Sequence, residues 1–512
     1  RDANVQVEPA PLVDDLAYLR RVSVDLIGRI PTTDEIAEYL AWSPEIRREK
    51  VVDKLLAEER FAVRWTAFFA DMLRLRTNAE GGAALTAFVH KSLKEEMPYD
   101  ELARRLISAG GKSGAVPEVG YILSDDADPL ALAGITSQVF MGVRIACAEC
   151  HDHPFDKWTR EDFYGFAAYF GKTRRVQRRF NNRILATYTT EVDQTTILWP
   201  PPGVDDDSRK PIAPKFPIGL VDDSRSLAHL DRLRKLRANQ QVAKAKTDRP
   251  EPEENSIDDL LATADDKVKR RTSGKTDTGL GVLEEAKKDV KKINVKEAGY
   301  RPSELRQELA SLITSPRNQY FSRSFVNRVW KELVGSGFVE PIDDFSDSNP
   351  PHHAETLDYL ANEFVANGFD VRNLVQMIVT SEAYQRGHAE GVDEATRLDM
   401  EQAFLATPMR RMISETLYDS IVTAGHLFDV KHEAGKNMKV VWQQTRVMKK
   451  PTEGQTQVDT QSIAQATSPK PEMKKPAMKK PVPAGYDVEQ AIELDFEAIL
   501  KKNQGDDVAM VD

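Results

Sequence analysis

The chain has 512 residues, of which 71 are Lys or Arg and 81 are Asp or Glu, so its formal net charge is −10. A net acidic chain argues against a general nucleic-acid binder, because neutralising phosphates requires a basic surface. The sequence contains no apolar run of the length that crosses a bilayer, about 20 residues, so it predicts no transmembrane segment. It begins at Arg1 and not at Met, so we expect it to be trimmed at one or both ends. The missing signal peptide therefore leaves the compartment open.

Residues 12–170 predict a helical domain. Apolar residues recur there at helical spacing, as at Leu19 and Val22. Thr32 and Glu35 form the pattern of a capping box, in which each side chain satisfies a backbone N–H at the start of a helix. We expect several short amphipathic helices in this segment.

The rest of the chain divides into zones by composition. Residues 171–225 are rich in β-branched residues and turn formers, which predicts a small β region, whereas 226–300 read as a charged insert or linker. Amphipathic patterns return over 301–430 and predict a second helical domain. A Lys/Pro-rich linker follows over 431–485, and 486–512 begin a helical segment that the sequence does not complete. The prediction is a mainly α fold, with two helical domains separated by a small β region and a charged insert.

The chain has two cysteines, Cys147 and Cys150, and both occur in one C-x-x-C-H motif that ends at His151. Covalent haem c needs two thiols that reach its vinyl groups and an adjacent imidazole for the iron, which this spacing supplies. A helix over 128–141 is expected to carry the motif at its carboxyl end. We therefore predict one haem c, bound to Cys147 and Cys150, with His151 as an axial ligand of the iron.

Other uses of the two cysteines stay open. A structural zinc site needs four tetrahedral ligands, and Cys147, Cys150, His151 and His153 would be crowded into one turn. A thioredoxin-like redox pair expects a βαβ setting, whereas this setting is helical. A disulfide or an inert thiol pair is the remaining alternative.

The segment after the motif is rich in aromatic residues at helical spacing. They could cover one face of a porphyrin, or they could be ordinary core. The residues concerned are Phe163, Tyr164, Phe166, Tyr169 and Phe170.

If haem is attached, the sixth iron ligand decides the function. A Met ligand would raise the reduction potential, a His ligand would lower it, and an empty position would permit chemistry on a small oxidant. The sequence does not choose among the candidates, which are Met72, His90, Met97, Met141, His153, His352 and His353.

A second polar cluster lies between 343 and 353. Its side chains could bind a cation, but its Asn and Pro residues are typical of a turn before a helix, and we favour the turn. The candidate ligands here are Asp343, Asp344, Asp347 and His353. Arg323, Asn327 and Arg328 on the preceding helix are expected to brace this loop through its carboxylates.

Long stretches of the chain resemble a known family. LAYLRRVSVDLIGRIPTTDEI and FMGVRIACAECHDHPFDKWTREDFYGFAAYF are similar to the cytochrome-associated domain of planctomycete cytochrome-like secreted proteins. RPSELRQELASLITSPRNQYFSRSFVNRVWKELVGSGFVEPIDDFSDSNPPHHAETLDYLANEF is similar to the domain that usually follows it. The resemblance implies secretion across the inner membrane, two helical domains and haem c, but no substrate. The chain departs from the family pattern in its acidic insert and at Ala354, where the family tends to carry Pro, which leaves the role of His353 open.

These observations predict a periplasmic or otherwise extracytoplasmic haem c protein that transfers electrons to or from a redox partner. Alternatives are a non-haem scaffold or carbohydrate-associated protein, and an oxidoreductase with an open iron site.

Overall fold

A computed structural model describes residues 8–180, 183–201, 209–221, 224–247 and 301–425. These residues are mostly helical, with small sheets of two and three strands, which confirms the predicted mainly α class. The predicted linker 431–485 and the segment 486–512 lie outside the described residues.

The helices before the gap at 248–300 belong to the first helical segment and to the start of the insert. They are α1 (Asp15–Ile27), α2 (Thr33–Ala41), α3 (Arg47–Ala57), α4 (Glu59–Met72), α5 (Gly82–Lys94), α6 (Tyr99–Ser108), α7 (Val119–Leu123), α8 (Pro129–Met141), α9 (Arg160–Ala167) and α10 (Ser224–Thr247).

The helices after the gap form the second helical segment. They are α11 (Glu304–Ile313), α12 (Gln319–Val334), α13 (Ala354–Ala366), α14 (Val371–Val379), α15 (Glu382–Gln385), α16 (Glu394–Gln402) and α17 (Ser414–Ala424).

Local sequence signals set the helix ends. The capping box predicted at Thr32 is present, since its hydroxyl accepts from the Glu35 N–H and the Glu35 carboxylate accepts from the Thr32 N–H. Helix α1 ends at Gly28, which has a positive φ of 71° that glycine adopts without strain. Along α1, Leu19 and Val22 are buried, as their spacing predicted.

The predicted β region contains a hairpin. Strands β2 (Thr173–Phe180) and β3 (Arg183–Glu191) pair antiparallel, and β1 (Gly111–Lys112) adds to the free edge of β3. A separate pair consists of β4 (Leu198–Trp199) and β5 (Lys210–Pro211).

The two helical segments that were predicted as separate domains pack together within one compact unit. Four buried aromatic residues, which we call the aromatic seam, join them: Tyr99 from α6, Phe321 and Phe325 from α12, and Phe364 from α13. The Tyr99 and Phe325 rings stack with their centroids 3.8 Å apart. Neither segment covers these rings alone, which is why the two share one core.

The beginning of the predicted charged insert is a helix and not a linker. Helix α10 packs on α13, with Leu230 buried in the core, and the Arg237 side chain donates to the carbonyl of Gly368 at 2.8 Å. The Arg234 guanidinium pairs with the buried Asp100 carboxylate at 2.7 Å. The charge run predicted a solvated segment, but Arg234 and Arg237 contact residues that lie far away in the sequence.

Candidate functional site

Helix α8 carries the C-x-x-C-H motif at its carboxyl end, as predicted. The Asp128 carboxylate caps the helix by accepting from the Leu130 N–H at 2.9 Å, and Pro129 occupies the first turn. The helix ends at Gly142, whose φ is 66°. A side chain at Gly142 would meet the Phe345 ring at 2.7 Å, so this close approach requires glycine.

A 3₁₀ turn over Ile145–Glu149 presents the two cysteines. Ile145 and Ala148 are buried, whereas Cys147 and Cys150 are exposed free thiols. The apolar residues of the turn therefore anchor it to the helical body, while both sulfur atoms stay open to solvent. We call residues 145–159 the motif loop.

The His151 ring is exposed and held in one tautomer. Its Nδ1 lies 2.8 Å from the Asp152 carbonyl oxygen, which can only accept, so Nδ1 carries the proton. In the neutral ring the lone pair is then on Nε2. Metal-ligating histidines commonly use this arrangement, with one ring N–H donating to a carbonyl while the other nitrogen binds the metal.

His153 has the opposite arrangement. Its Nδ1 accepts from the Phe155 backbone N–H at 3.2 Å, so a neutral His153 carries its proton on Nε2. The His153 backbone N–H donates to the Trp158 carbonyl at 2.8 Å and holds the loop closed. His153 therefore stabilises the motif loop, and its ring lacks a lone pair at Nε2.

Two residues of the second helical segment contact the motif loop at Lys157. The Lys157 ammonium lies 3.4 Å from the Tyr320 hydroxyl and 3.6 Å from the Asp347 carboxylate. Burial works against the charge of Lys157, but Tyr320 and Asp347 outweigh it and raise the pKa of Lys157 above its usual value.

The residue just before the motif loop, Arg144, is paired with Asp343. The Asp343 carboxylate accepts from Nε of Arg144 at 3.1 Å and also from the side-chain amide of Gln138. Burial opposes the ionisation of Asp343, but these hydrogen bonds outweigh it and hold the pKa of Asp343 below its ordinary value. Next to this pair, the Phe345 N–H donates to the Gly142 carbonyl at 2.9 Å. Asp343 therefore fixes the carboxyl end of α8 to the second helical segment.

The other predicted cation ligands are spread over separate contacts. The Asp344 carbonyl accepts from the Asn349 side chain at 3.0 Å, which is a turn contact, and Asp347 pairs with Lys157. His353 adopts a positive φ of 51° before α13, and its ring lies against Phe404. Within the described ranges, no three His, Cys, Asp or Glu side chains group in a way that could hold a metal ion.

The helix before this loop braces it, but not through the predicted carboxylates. The Asn327 side chain accepts from the Phe338 N–H at 2.7 Å and donates to the Val339 carbonyl at 3.0 Å. Arg328 donates to the Gln138 carbonyl at 2.8 Å, and Arg323 pairs with Asp358 on α13. The side-chain amide of Asn327 therefore bonds to the buried backbone groups of Phe338 and Val339 and not to the carboxylates of the loop.

The aromatic residues that follow the motif are core residues. Phe163, Phe166 and Phe170 are fully buried, and Tyr164 packs edge-to-face on Trp199. Burial raises the pKa of Tyr164, and the neighbouring carboxylate of Glu149 adds to this. These residues therefore belong to the core, and a role in covering a porphyrin stays a prediction.

The pairing of Arg144 with Asp343 was missed by the sequence analysis. The two residues are 199 positions apart, so no local pattern links them. The signal that could have raised the question is an arginine directly before a candidate cofactor motif, because a partly buried guanidinium requires a partner.

Two family models match the chain, one at each helical segment. Residues 2–175 match PSCyt2, described as a protein of unknown function (DUF1549), and 305–480 match PSD1, described as a protein of unknown function (DUF1553). The two matched regions follow each other in the order of the planctomycete cytochrome-associated domain pair, which confirms the predicted resemblance. The motif loop lies in the PSCyt2 domain, and Asp343 lies in the PSD1 domain. No curated protein and no solved structure matches the chain.

None of the helices in the described ranges is both long enough and apolar enough to cross a membrane.

Proposed function

We propose that the chain is an extracytoplasmic c-type haem protein that transfers electrons to or from a redox partner. Cys147 and Cys150 would hold the haem through thioether bonds, and His151 would bind the iron through Nε2. The bound group would supply a one-electron couple at the protein surface.

The observation that carries the proposal is the contrast between the two histidines of the motif loop. The Nδ1 of His151 faces a carbonyl acceptor at 2.8 Å, which leaves Nε2 as a ligand. The Nδ1 of His153 faces an N–H donor at 3.2 Å, which leaves Nε2 protonated. Only His151 is therefore arranged as a ligand, and it is the histidine that the C-x-x-C-H spacing selects.

The exposure of the cysteines and the anchoring of the loop support the same role. Both thiols are accessible, as covalent attachment requires, while Ile145 and Ala148 are buried. The Arg144–Asp343 pair fixes the base of the turn on a second element. A cofactor bound here would lie at the surface, where a protein partner can approach it.

The chain's own candidates for the sixth ligand differ in accessibility. Met72 and Met141 are buried in the core. The Nδ1 lone pair of His153 accepts from the Phe155 N–H, so a neutral His153 carries its proton on Nε2. An iron bound at His151 would then have an open sixth position or a ligand from outside the motif loop. These two possibilities correspond to chemistry on a small oxidant and to electron transfer.

The first experiment is a pyridine haemochrome spectrum of protein made in a host that matures c-type cytochromes. We expect a sharp reduced α-band that survives acid–acetone extraction and is absent from the Cys147→Ala/Cys150→Ala variant. A fully folded, matured protein without the band would overturn the haem proposal. Metal analysis would then test the zinc site, and a negative result there would favour the scaffold alternative.

A matched pair of histidine variants tests the ligand assignment. We expect His151→Ala to lose the native visible spectrum and His153→Ala to keep it, because only the first residue offers Nε2 to the iron. The reverse result would contradict the assignment. Binding of carbon monoxide to the reduced wild-type protein would then show an open sixth position, whereas no binding would favour electron transfer.

A further inference from the structure

A cavity of about 700 Å³ lies away from the motif loop. It is lined by residues of α1, α4 and α12 and of the segment 407–416, and no residue of the motif loop lines it. Its volume is in the range of small-molecule binding sites, about 300–1,000 Å³. The cavity is therefore large enough for an organic ligand.

The lining of this cavity is cationic although the chain as a whole is acidic. Among the described residues, six arginines and Lys331 line it, against three carboxylates, whereas the whole chain has a net charge of −10. The carboxylates are Asp25, Asp71 and Glu332. A concave surface with an excess of one charge raises the local concentration of ligands of the opposite sign.

Two of these carboxylates neutralise two of the arginines. Asp25 pairs with Arg410 at 2.7 Å, and Glu332 pairs with Arg64. Lys331 pairs with Glu340, at 2.7 Å, which lies outside the lining. These three pairs account for only a part of the positive charge.

Four arginines remain without a carboxylate that neutralises them in an ion pair. Arg21 donates to the Arg386 carbonyl at 2.8 Å, and Arg328 donates to the Gln138 carbonyl at 2.8 Å. Carbonyl acceptors satisfy hydrogen bonds but do not remove the charge. Within the described ranges, Arg20 and Arg411 have no ion pair.

Two lining arginines also carry buried N–H groups that lack an acceptor. The Nε atoms of Arg64 and Arg328 are shielded from solvent, and neither has a hydrogen-bond partner among the described residues. A buried donor without a partner is destabilising, and an oxyanion bound against these side chains would offset that loss. Burial also lowers the pKa of Arg21 and of Arg328, which shows that these charges lie in a poorly solvated place.

The same cavity has an apolar portion. Phe68, Met72 and Ile413 contribute to its lining. An apolar wall beside a cationic one fits an organic molecule that carries anionic groups on part of its surface.

We propose that this cavity binds a small organic polyanion, with its carboxylate or sulfate groups at Arg20, Arg328 and Arg411 and its body against Phe68 and Ile413. Guanidinium groups suit both kinds of oxyanion because they donate two parallel hydrogen bonds. The site is separate from the motif loop, so the proposal does not depend on haem.

Calorimetric titration of the full chain tests this. The probes are citrate, as a carboxylate, and a sulfated disaccharide beside its unsulfated form, each at low salt and at about 0.15 M salt. We expect at least one anionic probe to bind, with an affinity that falls as the salt concentration rises, and we expect no binding of the unsulfated disaccharide. Binding of citrate alone or of the sulfated sugar alone would identify the type of oxyanion.

Two double variants with the same loss of charge separate the cavity from the general surface. Arg20→Gln/Arg411→Gln removes two lining charges and should weaken binding at least tenfold, about 1.4 kcal/mol. Arg232→Gln/Lys235→Gln removes two exposed charges on α10 and should leave binding unchanged. Equal weakening in both variants, equal binding of the unsulfated sugar, or no binding of either anionic probe would overturn the proposal.

Discussion

The aromatic seam and the motif loop differ in what holds them. In the seam, the buried rings of Tyr99 and Phe325 stack on each other, and packing between the two helical segments fixes them. In the motif loop, Cys147 and Cys150 are exposed, and polar contacts such as Arg144–Asp343 fix the backbone. Buried rings therefore hold the two segments together, whereas the motif loop combines two exposed cysteines with polar contacts and the buried Ile145 and Ala148.

The largest effect is expected in the aromatic seam. Phe325→Ala should lower the free energy of unfolding by about 3–5 kcal/mol, because it leaves a cavity among Tyr99, Phe321 and Phe364. Urea denaturation measures the change. Phe325→Leu keeps most of the volume and should cost less than about 1.5 kcal/mol. A small effect of the alanine variant would show that the seam does not hold the two segments together.

The polar attachment of the motif loop should contribute less. Asp343→Asn removes a charged acceptor from Arg144 and should destabilise the protein by about 1–3 kcal/mol in the same assay. The control is Asp347→Asn, whose exposed carboxylate pairs with Lys157 at 3.6 Å and should contribute less than about 1 kcal/mol. Equal effects of the two variants would contradict the role given to Asp343.

The same pair predicts a pH dependence. The pKa of Asp343 is lowered in the folded state, so its stabilisation is fully present above the unfolded pKa of about 3.9 and is lost as the pH falls through the folded pKa. The stability difference between wild type and Asp343→Asn should therefore be constant near neutral pH and shrink below pH about 4. Unfolding curves measured from about pH 2.5 to about pH 7, on both sides of that value, would show it. A difference that grows with acidification would contradict the assignment.

A smaller effect of opposite sign is expected at the hydroxyl of Tyr99. This hydroxyl is buried, and none of the described residues is its hydrogen-bond partner, so burial raises the pKa of Tyr99. Tyr99→Phe should stabilise the protein by about 1 kcal/mol, because it removes a desolvated polar group and keeps the ring. Tyr384→Phe is the matched control, since its hydroxyl donates to Asp25 at 2.8 Å, and it should destabilise. Destabilisation by both variants would indicate a partner for the Tyr99 hydroxyl.

The smallest effect is expected at Phe155 in the motif loop. Its side chain is 78% exposed, so Phe155→Ser should change the free energy of unfolding by no more than about 0.5 kcal/mol. Thermal or urea unfolding measures it beside Phe325→Ala. A loss comparable to that of the seam variant would mean that Phe155 packs on part of the chain and would weaken the contrast between the two regions.

Much of the local structure could be predicted from the sequence. The helix spacing of Leu19 and Val22, the capping box at Thr32 and the helix that ends before the motif are all present. These features depend on residues within one or two helical turns of each other, so a local sequence pattern is enough to predict them. The early part of the predicted insert forms α10, and its contacts with Asp100 and Gly368 could not be predicted because those residues are distant in the sequence.

The mainly helical class, the helix ends and the position of the C-x-x-C-H motif follow from the sequence, because neighbouring residues decide all three. Only the tertiary structure decided that the two helical segments share one core, that Asp343 holds Arg144, and that arginines from separate helices line one cavity. It also decided the tautomers of His151 and His153, since the acceptor or donor that faces each ring depends on the path of the loop. The two ring contacts are local, but the shared core, the Arg144–Asp343 pair and the cavity join residues that no local pattern relates, and folding brings them together.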